Sequence, residues 1–294
     1  MSRWPVLRMP FAPLRRYDGT REWVKKASVC SNTWEEAMRS WKESKRRRLR
    51  RRAFPSEWLA IVEQNLPIWR RLPSQDKEEL LGHIQVLLRE KHFEGAAGLV
   101  MTDEIRVTIA AHASLLLLRR AADYYPRLIS IIVYPHAYVA SHFEHDEFGI
   151  VTEGEEARLG ESWQQGVLVL SWDDVRAAAA GKDDCHNVVL HEFAHQLDSE
   201  DGTVEGSPAL GQPSQYATWA RIMSEEYERL REAAASGRDT LLDEYGATSP
   251  AEFFAVTTEC FFSRPDLLVA KHPQLYEELK TYYRQDPVQL PRAS

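Results

Sequence analysis

The sequence predicts an α+β fold that is mostly helical and contains a small mixed β-sheet. Apolar residues recur at helical spacing in most segments after residue 53. Two short runs rich in β-branched residues, 128–134 and 167–172, instead have the composition of buried strands. The chain has 294 residues, of which 44% are hydrophobic and 28% charged, so it is long enough to bury a sizeable core.

Helix boundaries follow from residues that start or stop helices, such as Pro55 and Ser56, Ser74, and Thr102 with Asp103. The predicted helices span about 56–66, 74–94, 104–120, 173–180, 185–198, 216–235, 249–263 and 273–283. In the helix over 104–120, the run from Val107 to Leu118 is apolar nearly all round, which places this helix in the middle of the core.

The polar connection between the two predicted strands is expected to be a solvated loop. It contains His142, Glu144, His145, Asp146 and Glu147, a cluster for which binding a metal of its own is the alternative. The strand over 167–172 comes shortly before the helix over 185–198, so we expect the sheet to lie beside that helix.

The first 52 residues form a basic segment. They hold 16 Lys or Arg against 5 Asp or Glu, a net charge of +11, which leaves −18 for residues 53–294. The run over 45–52 could meet nucleic acid, an acidic partner or a lipid surface, but such runs are more often solvated tails. We therefore predict a flexible segment over 1–52, without direct nucleic-acid binding, followed by one folded domain over 53–290.

Composition also argues against several classes of protein. The three cysteines, Cys30, Cys185 and Cys260, are far apart and indicate neither a disulfide framework nor a cysteine-rich zinc site. No apolar run approaches twenty residues, and the first thirty residues lack a hydrophobic signal core. A membrane span and secretion are therefore not expected, and we predict a cytoplasmic protein.

The motif His-Glu-x-x-His, from His191 to His195, is the strongest indication of chemistry. On a helix, residues four apart lie one turn apart on one face, so both imidazoles can reach one ion. Zinc in a catalytic site takes three protein ligands and activates a water in the fourth position. Glu192 lies beside the first histidine, where it could accept a proton from that water. We expect Asp183 or Asp184 to cap this helix.

The third ligand has several candidates. Asp201 lies ten residues after His191, the offset used by metzincin-type proteases, although that arrangement requires glycine where this chain has Asp198. Glu252 and Glu259 are seven residues apart on one face of an otherwise apolar helix, and buried carboxylates need partners.

A capping role is the alternative for Glu252. Ser249-x-x-Glu252 with Pro250 at the first helical position forms a capping box, which alone would explain these residue types. Capping does not explain Glu259, which lies two turns into the helix.

The segments 191–198, 245–247 and 250–256 resemble the bacterial Mlc titration factor A family of zinc peptidases, which is similar to the catalytic domain of anthrax lethal factor. The resemblance covers about Arg47 to Pro287. It implies a zincin-like fold and one zinc ion. His191, His195 and Glu252 would be its ligands, and Glu192 would be the general base.

The resemblance implies two further roles. Tyr245 would donate its hydroxyl to the oxyanion that forms during hydrolysis, and Glu259 would orient a histidine ligand. By analogy with similar metallopeptidases, the strand over 167–172 would be a sheet edge on which an extended peptide pairs.

The family begins near its own basic cluster, so we hypothesise that Met38 is the native start and that residues 1–37 come from an upstream start.

The sequence is compatible with three functions. The first is a zinc-dependent peptidase, either aminopeptidase or endopeptidase, acting on a peptide or protein substrate. The second is a regulatory binding protein, because the family takes its name from sequestering the glucose repressor Mlc. The third is metal-dependent hydrolysis of a substrate other than a peptide.

Overall fold

A computed structural model of the chain describes residues 38–121, 123–136, 138–145, 151–158, 160–163, 166–181, 185–202 and 204–291. For 138–145, 151–158, 160–163 and residue 201 it describes the backbone. The chain divides into two units between Arg48 and Leu49. Residues 38–50 are helical (α1), so part of the basic run belongs to a helix. Residues 1–37, on which the start hypothesis depends, lie outside the described residues.

The rest of the described chain is mostly helical, as predicted. The helices are α2 (Ser56–Asn65), α3 (Ser74–Glu90), α4 (Asp103–Leu115), α5 (Trp172–Ala179), α6 (Val188–Asp198), α7 (Gln215–Ala235), α8 (Pro250–Ser263), α9 (Pro265–Lys271) and α10 (Pro273–Tyr283). Of the helices in the described ranges, none combines the length and apolar character needed to cross a membrane.

Helix α4 lies at the centre of the core. Every residue from Val107 to Leu115 is buried, and the helix contacts α2, α3, α5 and α6. The Thr102 side chain caps its start by accepting the Ile105 N–H. The helix ends five residues before the predicted Arg120. The chain turns there and Arg119, with φ 60°, donates its N–H and guanidinium to Glu79 and Asp76 of α3.

The sheet beside α6 is mixed and has four strands in the order β1, β2, β6, β5. These strands are β1 (His92–Gly95), β2 (Ser130–Tyr134), β5 (Gly160–Trp163) and β6 (Val167–Ser171). The first three in that order are parallel, and β5 is antiparallel to β6. Both β5 and β6 contact α6, so the prediction of an α+β fold with a small sheet beside the motif helix is confirmed.

The predicted edge position of β6 was wrong. Strand β6 lies between β2 and β5, with Ile132 and Glu161 as the partners of Val169 on its two sides. The edge position was expected by analogy with similar metallopeptidases, and β5 has too little apolar character to be recognised as a strand from the sequence.

The polar connection also differs from the predicted loop. Residues Tyr138–His145 (β3) and Val151–Arg158 (β4) form an antiparallel hairpin with Tyr138 opposite Arg158 and His145 opposite Val151. Residues 146–150, including Asp146 and Glu147 of the polar cluster, lie outside the described residues. Charged side chains hid the alternation that usually identifies strands.

Strand β1 was missed because it is short and mostly exposed. It occupies the segment that we assigned to the end of α3, which instead ends at Glu90. Gly95 marks its end, and a Cβ at this position would lie 2.0 Å from the Leu99 carbonyl oxygen. Only glycine allows the chain to turn back so tightly there.

Candidate metal centre

Helix α6 brings the two motif histidines to one face. The helix begins at Val188, and the Asn187 side chain caps it by accepting the Leu190 N–H at 3.1 Å. The expected caps Asp183 and Asp184 lie outside the described residues, and the cap is Asn187 instead. The imidazoles of His191 and His195 are 4.9 Å apart between ring centroids, and their Nε2 atoms are 3.2 Å apart.

Helix α8 delivers Glu252 to the same point. The Ser249 side chain caps α8 by accepting the Glu252 N–H at 3.2 Å, with Pro250 in the first turn. The Glu252 carboxylate reaches the histidines, with Oε2 2.9 Å from His191 Nε2 and 3.3 Å from His195 Nε2. The capping and ligand interpretations are therefore compatible, because Ser249 supplies the cap while the Glu252 side chain points towards α6.

The donor atoms of His191, His195 and Glu252 fit a zinc ion. Their three separations lie between 2.9 and 3.3 Å. A tetrahedral ion with bonds of about 2.0–2.1 Å holds its ligand atoms about 3.3–3.4 Å apart. Within the described part of the chain, this is the group of histidine, cysteine, aspartate or glutamate residues that could hold a metal. Each of the three side chains is only partly buried, so solvent reaches the centre.

Glu259 holds His191 from the side opposite Glu252. Its Oε1 lies 2.7 Å from His191 Nδ1, and its Oε2 accepts the backbone N–H of Asn187. A carboxylate beside Nδ1 keeps the proton on that nitrogen and leaves the Nε2 lone pair free for an ion. Glu252 and Glu259, predicted to share a face of α8, thus contact the two nitrogens of one ring.

The carboxylates concentrate negative charge around the histidines. Burial alone would lower the pKa of His191, but hydrogen bonds with Glu252 and Glu259 outweigh it and raise that pKa well above its ordinary value. Burial would raise the pKa of Glu252, but hydrogen bonds with His191 and His195 lower it to about 2. A site that stabilises positive charge in this way suits a cation.

Glu192 is buried beside the ligand triangle. Its side chain is 4% exposed, and its Oε2 has no hydrogen-bond partner within the described ranges. Burial raises the pKa of its carboxyl group above the ordinary value, partly offset by His191 and His195. A desolvated carboxylate of this kind binds a proton more readily than an exposed one.

Tyr245 is an exposed residue whose ring lies near that of His191. Its ring centroid is 6.1 Å from that of His191, and the residue is 54% exposed. It belongs to the 3₁₀ turn Glu244–Ala247, where its N–H donates to Asp243 Oδ1 at 2.8 Å. Gly246 lets this turn pack closely, because a Cβ there would lie 3.1 Å from Leu230 and 3.3 Å from Val256.

Sequence reasoning missed three residues near the centre. Asn187 caps α6 and also contacts Glu259, and His186 pairs with Asp243 at 2.9 Å beside the Tyr245 turn. An Asn before an apolar helical run is a capping signal that could have been recognised. The contact between His186 and Asp243 spans 57 positions and leaves no local pattern. The side chain of Asp201, the local alternative for the third ligand, lies outside what the structure describes.

The sequence is similar to those of several known proteins. The chain is 39% identical over 249 residues to an uncharacterized protein of Synechocystis, covering 84% of this chain and 90% of the relative. It is 29% identical over 229 residues to proteins named Mlc titration factor A from Yersinia pestis and Yersinia pseudotuberculosis, covering 76% of this chain and 83% of each relative.

A family model described as glucose-regulated metallo-peptidase M90 matches residues 39–284. The matched range contains the motif helix and both glutamates of α8, together with the sheet. The chain therefore belongs to the glucose-regulated metallo-peptidase M90 family, and this membership implies that it carries a metal.

Proposed function

We propose that this protein is a zinc-dependent peptidase with a zincin-like fold, in which His191, His195 and Glu252 hold one zinc ion. The observation that carries the proposal is the convergence of three donor atoms, 2.9 to 3.3 Å apart, beside a buried carboxylate. Metallo-peptidase family membership supports the reaction type. Bound zinc would polarise the scissile carbonyl and make water more acidic.

Glu192 would move the protons. Its carboxylate would accept a proton from the attacking water and later pass it to the leaving amine. The raised pKa of Glu192 brings its proton affinity closer to what a general base needs near neutral pH. Because one of its oxygens lacks a partner among the described residues, the group is free to take up this proton.

Tyr245 and Glu259 would assist from opposite sides of His191. The exposed Tyr245 phenol would donate a hydrogen bond to the oxygen on which negative charge develops, a contact that matters only in the transition state. Glu259 would keep His191 in the tautomer and orientation that present Nε2 to the ion.

The substrate would be an extended peptide or protein segment. In the described strands, β5 is the outermost strand on the side of the sheet nearest α6, and its outer edge is where we place peptide pairing in place of β6. The peptidase domain would span 53–290, preceded by the basic segment 1–52, and we propose that it acts in the cytoplasm.

A second function would be binding of an Mlc-like transcriptional repressor of glucose uptake. The observation that favours it is the name Mlc titration factor A carried by relatives 29% identical to this chain. Sequestration of a partner needs no hydrolysis, so this activity could coexist with peptidase activity or replace it.

The substitution Glu192→Gln tests the first function. It should lower peptide cleavage by roughly 10²–10⁴-fold, because the amide cannot accept the proton. Bound zinc should remain at one ion per chain, measured by mass spectrometry under native conditions. Glu228→Gln, which makes the same change on the exposed face of α7, should leave cleavage unchanged.

The outcomes separate the two functions. Unchanged cleavage in Glu192→Gln would refute the peptidase mechanism. Retention of an Mlc-like repressor by the Glu192→Gln variant in a binding assay would support partner binding as a separate activity. If the Glu192→Gln variant instead loses both zinc and repressor binding, then repressor binding requires an intact metal centre.

A further inference from the structure

We propose that Cys185 and Cys260 form a site of reversible oxidation, in which a peroxide converts the two thiols into a disulfide that ties the start of α6 to α8. This goes beyond the proposed hydrolysis, and it does not depend on it. The two cysteines are 75 positions apart, so the sequence gave no indication that they lie close together.

The two sulfur atoms already lie together. Neither cysteine forms a disulfide, and the Cys185 S–H donates to Cys260 Sγ across 2.7 Å. A disulfide bond is about 2.05 Å long, so closing it requires an approach of about 0.7 Å. Cys185 is half-buried and Cys260 is buried, so one member of the pair is accessible to a reagent from solvent.

The two cysteines lie beside residues that support the metal centre. Cys260 follows Glu259 in α8, and Cys185 lies two residues before Asn187, the cap of α6. Asn187 and Glu259 are joined by a hydrogen bond, and Glu259 contacts His191. A disulfide would therefore join covalently the two elements that supply all three candidate ligands, at a point where they already touch.

The chemistry balances with a peroxide as the oxidant. The sulfur of Cys185 attacks a peroxide oxygen, the O–O bond breaks, and a sulfenic acid and water form when hydrogen peroxide is used. The sulfur of Cys260 then attacks the sulfenic sulfur, and the displaced hydroxide takes the Cys260 proton and leaves as a second water. Two thiols are oxidised, one peroxide is reduced, and a dithiol reagent reverses the reaction.

The order of these two steps follows from the environment of each thiol. The contact with the Cys185 sulfur, together with burial, raises the pKa of the Cys260 thiol, so Cys260 stays protonated before its neighbour reacts. The half-buried Cys185 is the thiol that meets the oxidant first. Cys260 then acts as the resolving thiol without leaving the core.

The bond should stabilise the protein. It would close a loop of about 75 residues, and loops of that length restrict the unfolded chain strongly. For a domain of this size we expect the oxidised protein to unfold at a temperature roughly 5–10 °C higher than the reduced one.

The test uses the full-length protein treated with hydrogen peroxide and then digested without reduction. The expected result is a mass loss of about 2 Da and a linked peptide containing Cys185 and Cys260, both reversed by dithiothreitol. Cys185→Ser should lose the linked peptide and the increase in unfolding temperature, whereas Cys30→Ser should keep both. Cys260→Ala provides a second variant in case a serine at either position disturbs folding.

Two results would overturn the proposal. One is oxygen addition at Cys185 with no linked peptide. The other is a bridge from Cys185 to Cys30 or to a second chain.

Discussion

Replacing Glu259 by Gln should weaken metal binding without removing any ligand. The carboxylate of Glu259 accepts two N–H groups, one from His191 Nδ1 at 2.7 Å and one from the Asn187 backbone. A glutamine side chain has one oxygen and one NH₂ group, so it can accept only one of these bonds. Its NH₂ group must then face the other N–H, donor against donor.

The magnitude follows from what is lost. Glu259 is 3% exposed, so water cannot replace the missing acceptor. Loss of one hydrogen bond to a charged, buried acceptor is worth about 1.5–3 kcal/mol. If His191 loses its partner, it no longer holds the tautomer that offers Nε2. We expect zinc affinity to fall by roughly 10–100-fold, the range typical when the partner of a metal-bound histidine is removed.

The assay is zinc competition against a chromophoric chelator, with thermal unfolding of the zinc-free protein as a second measurement. Glu277→Gln makes the same change in charge at an exposed pair with Lys280 on α10, and it should alter neither quantity. An affinity within twofold of the original protein would refute the argument, because it would mean that Glu259 does not orient His191. A loss of stability without a loss of affinity would restrict Glu259 to a folding role.

Two further predictions concern His112 and Tyr245. His112 is fully buried in α4, its ring nitrogens have no partner in the described part of the chain, and burial lowers its pKa to about 4. Above pH 6.5 the His112 imidazole is neutral in both the folded and the unfolded state. As the pH falls towards 4, the imidazole becomes protonated only in the unfolded state. This difference lowers the free energy of unfolding by about 3 kcal/mol. His112→Leu should therefore lose less stability between pH 7 and pH 4 in urea unfolding than the original protein or the exposed control His92→Gln, and equal losses would contradict the assignment. Tyr245→Phe should lower kcat for peptide hydrolysis by roughly 10²-fold with little change in KM or zinc content, and an unchanged kcat would exclude an oxyanion contact.

Parts of the fold and site that depend on local spacing could be predicted from sequence. The placement of His191 and His195 on one helical face needs only the geometry of one turn, and the long helices have clear apolar periodicity. The short strands were a different case. Strand β1 is largely exposed and was assigned to the end of a helix, and β3, β4 and β5 carry many polar residues, so composition identified none of them as strands. Because β5 was not recognised, nothing in the sequence corrected the edge position that analogy gave to β6.

For contacts between distant segments, the sequence alone gave only a set of candidate residues. Sequence reasoning left Asp201, Glu252 and Glu259 open until the resemblance favoured Glu252, because the packing of α6 against α8 determines which carboxylate meets the histidines. The Cys185–Cys260 and His186–Asp243 contacts were not predicted at all. Residue spacing within one helix carries geometric information, whereas spacing between two helices carries almost none.

The rings of the two histidines differ in how many contacts hold them in place. Both nitrogens of His191 contact carboxylates from α8, whereas Nδ1 of His195 has no partner within the described ranges. The position of His191 therefore depends on how α8 packs, and Phe253, Phe254 and Phe261 of that helix are all buried in the core. A substitution that shifts α8 should displace Glu252 and Glu259 together and disturb His191 more than His195. The metal centre is thus coupled to the packing of one apolar helix, and its geometry should respond to core substitutions that touch no ligand.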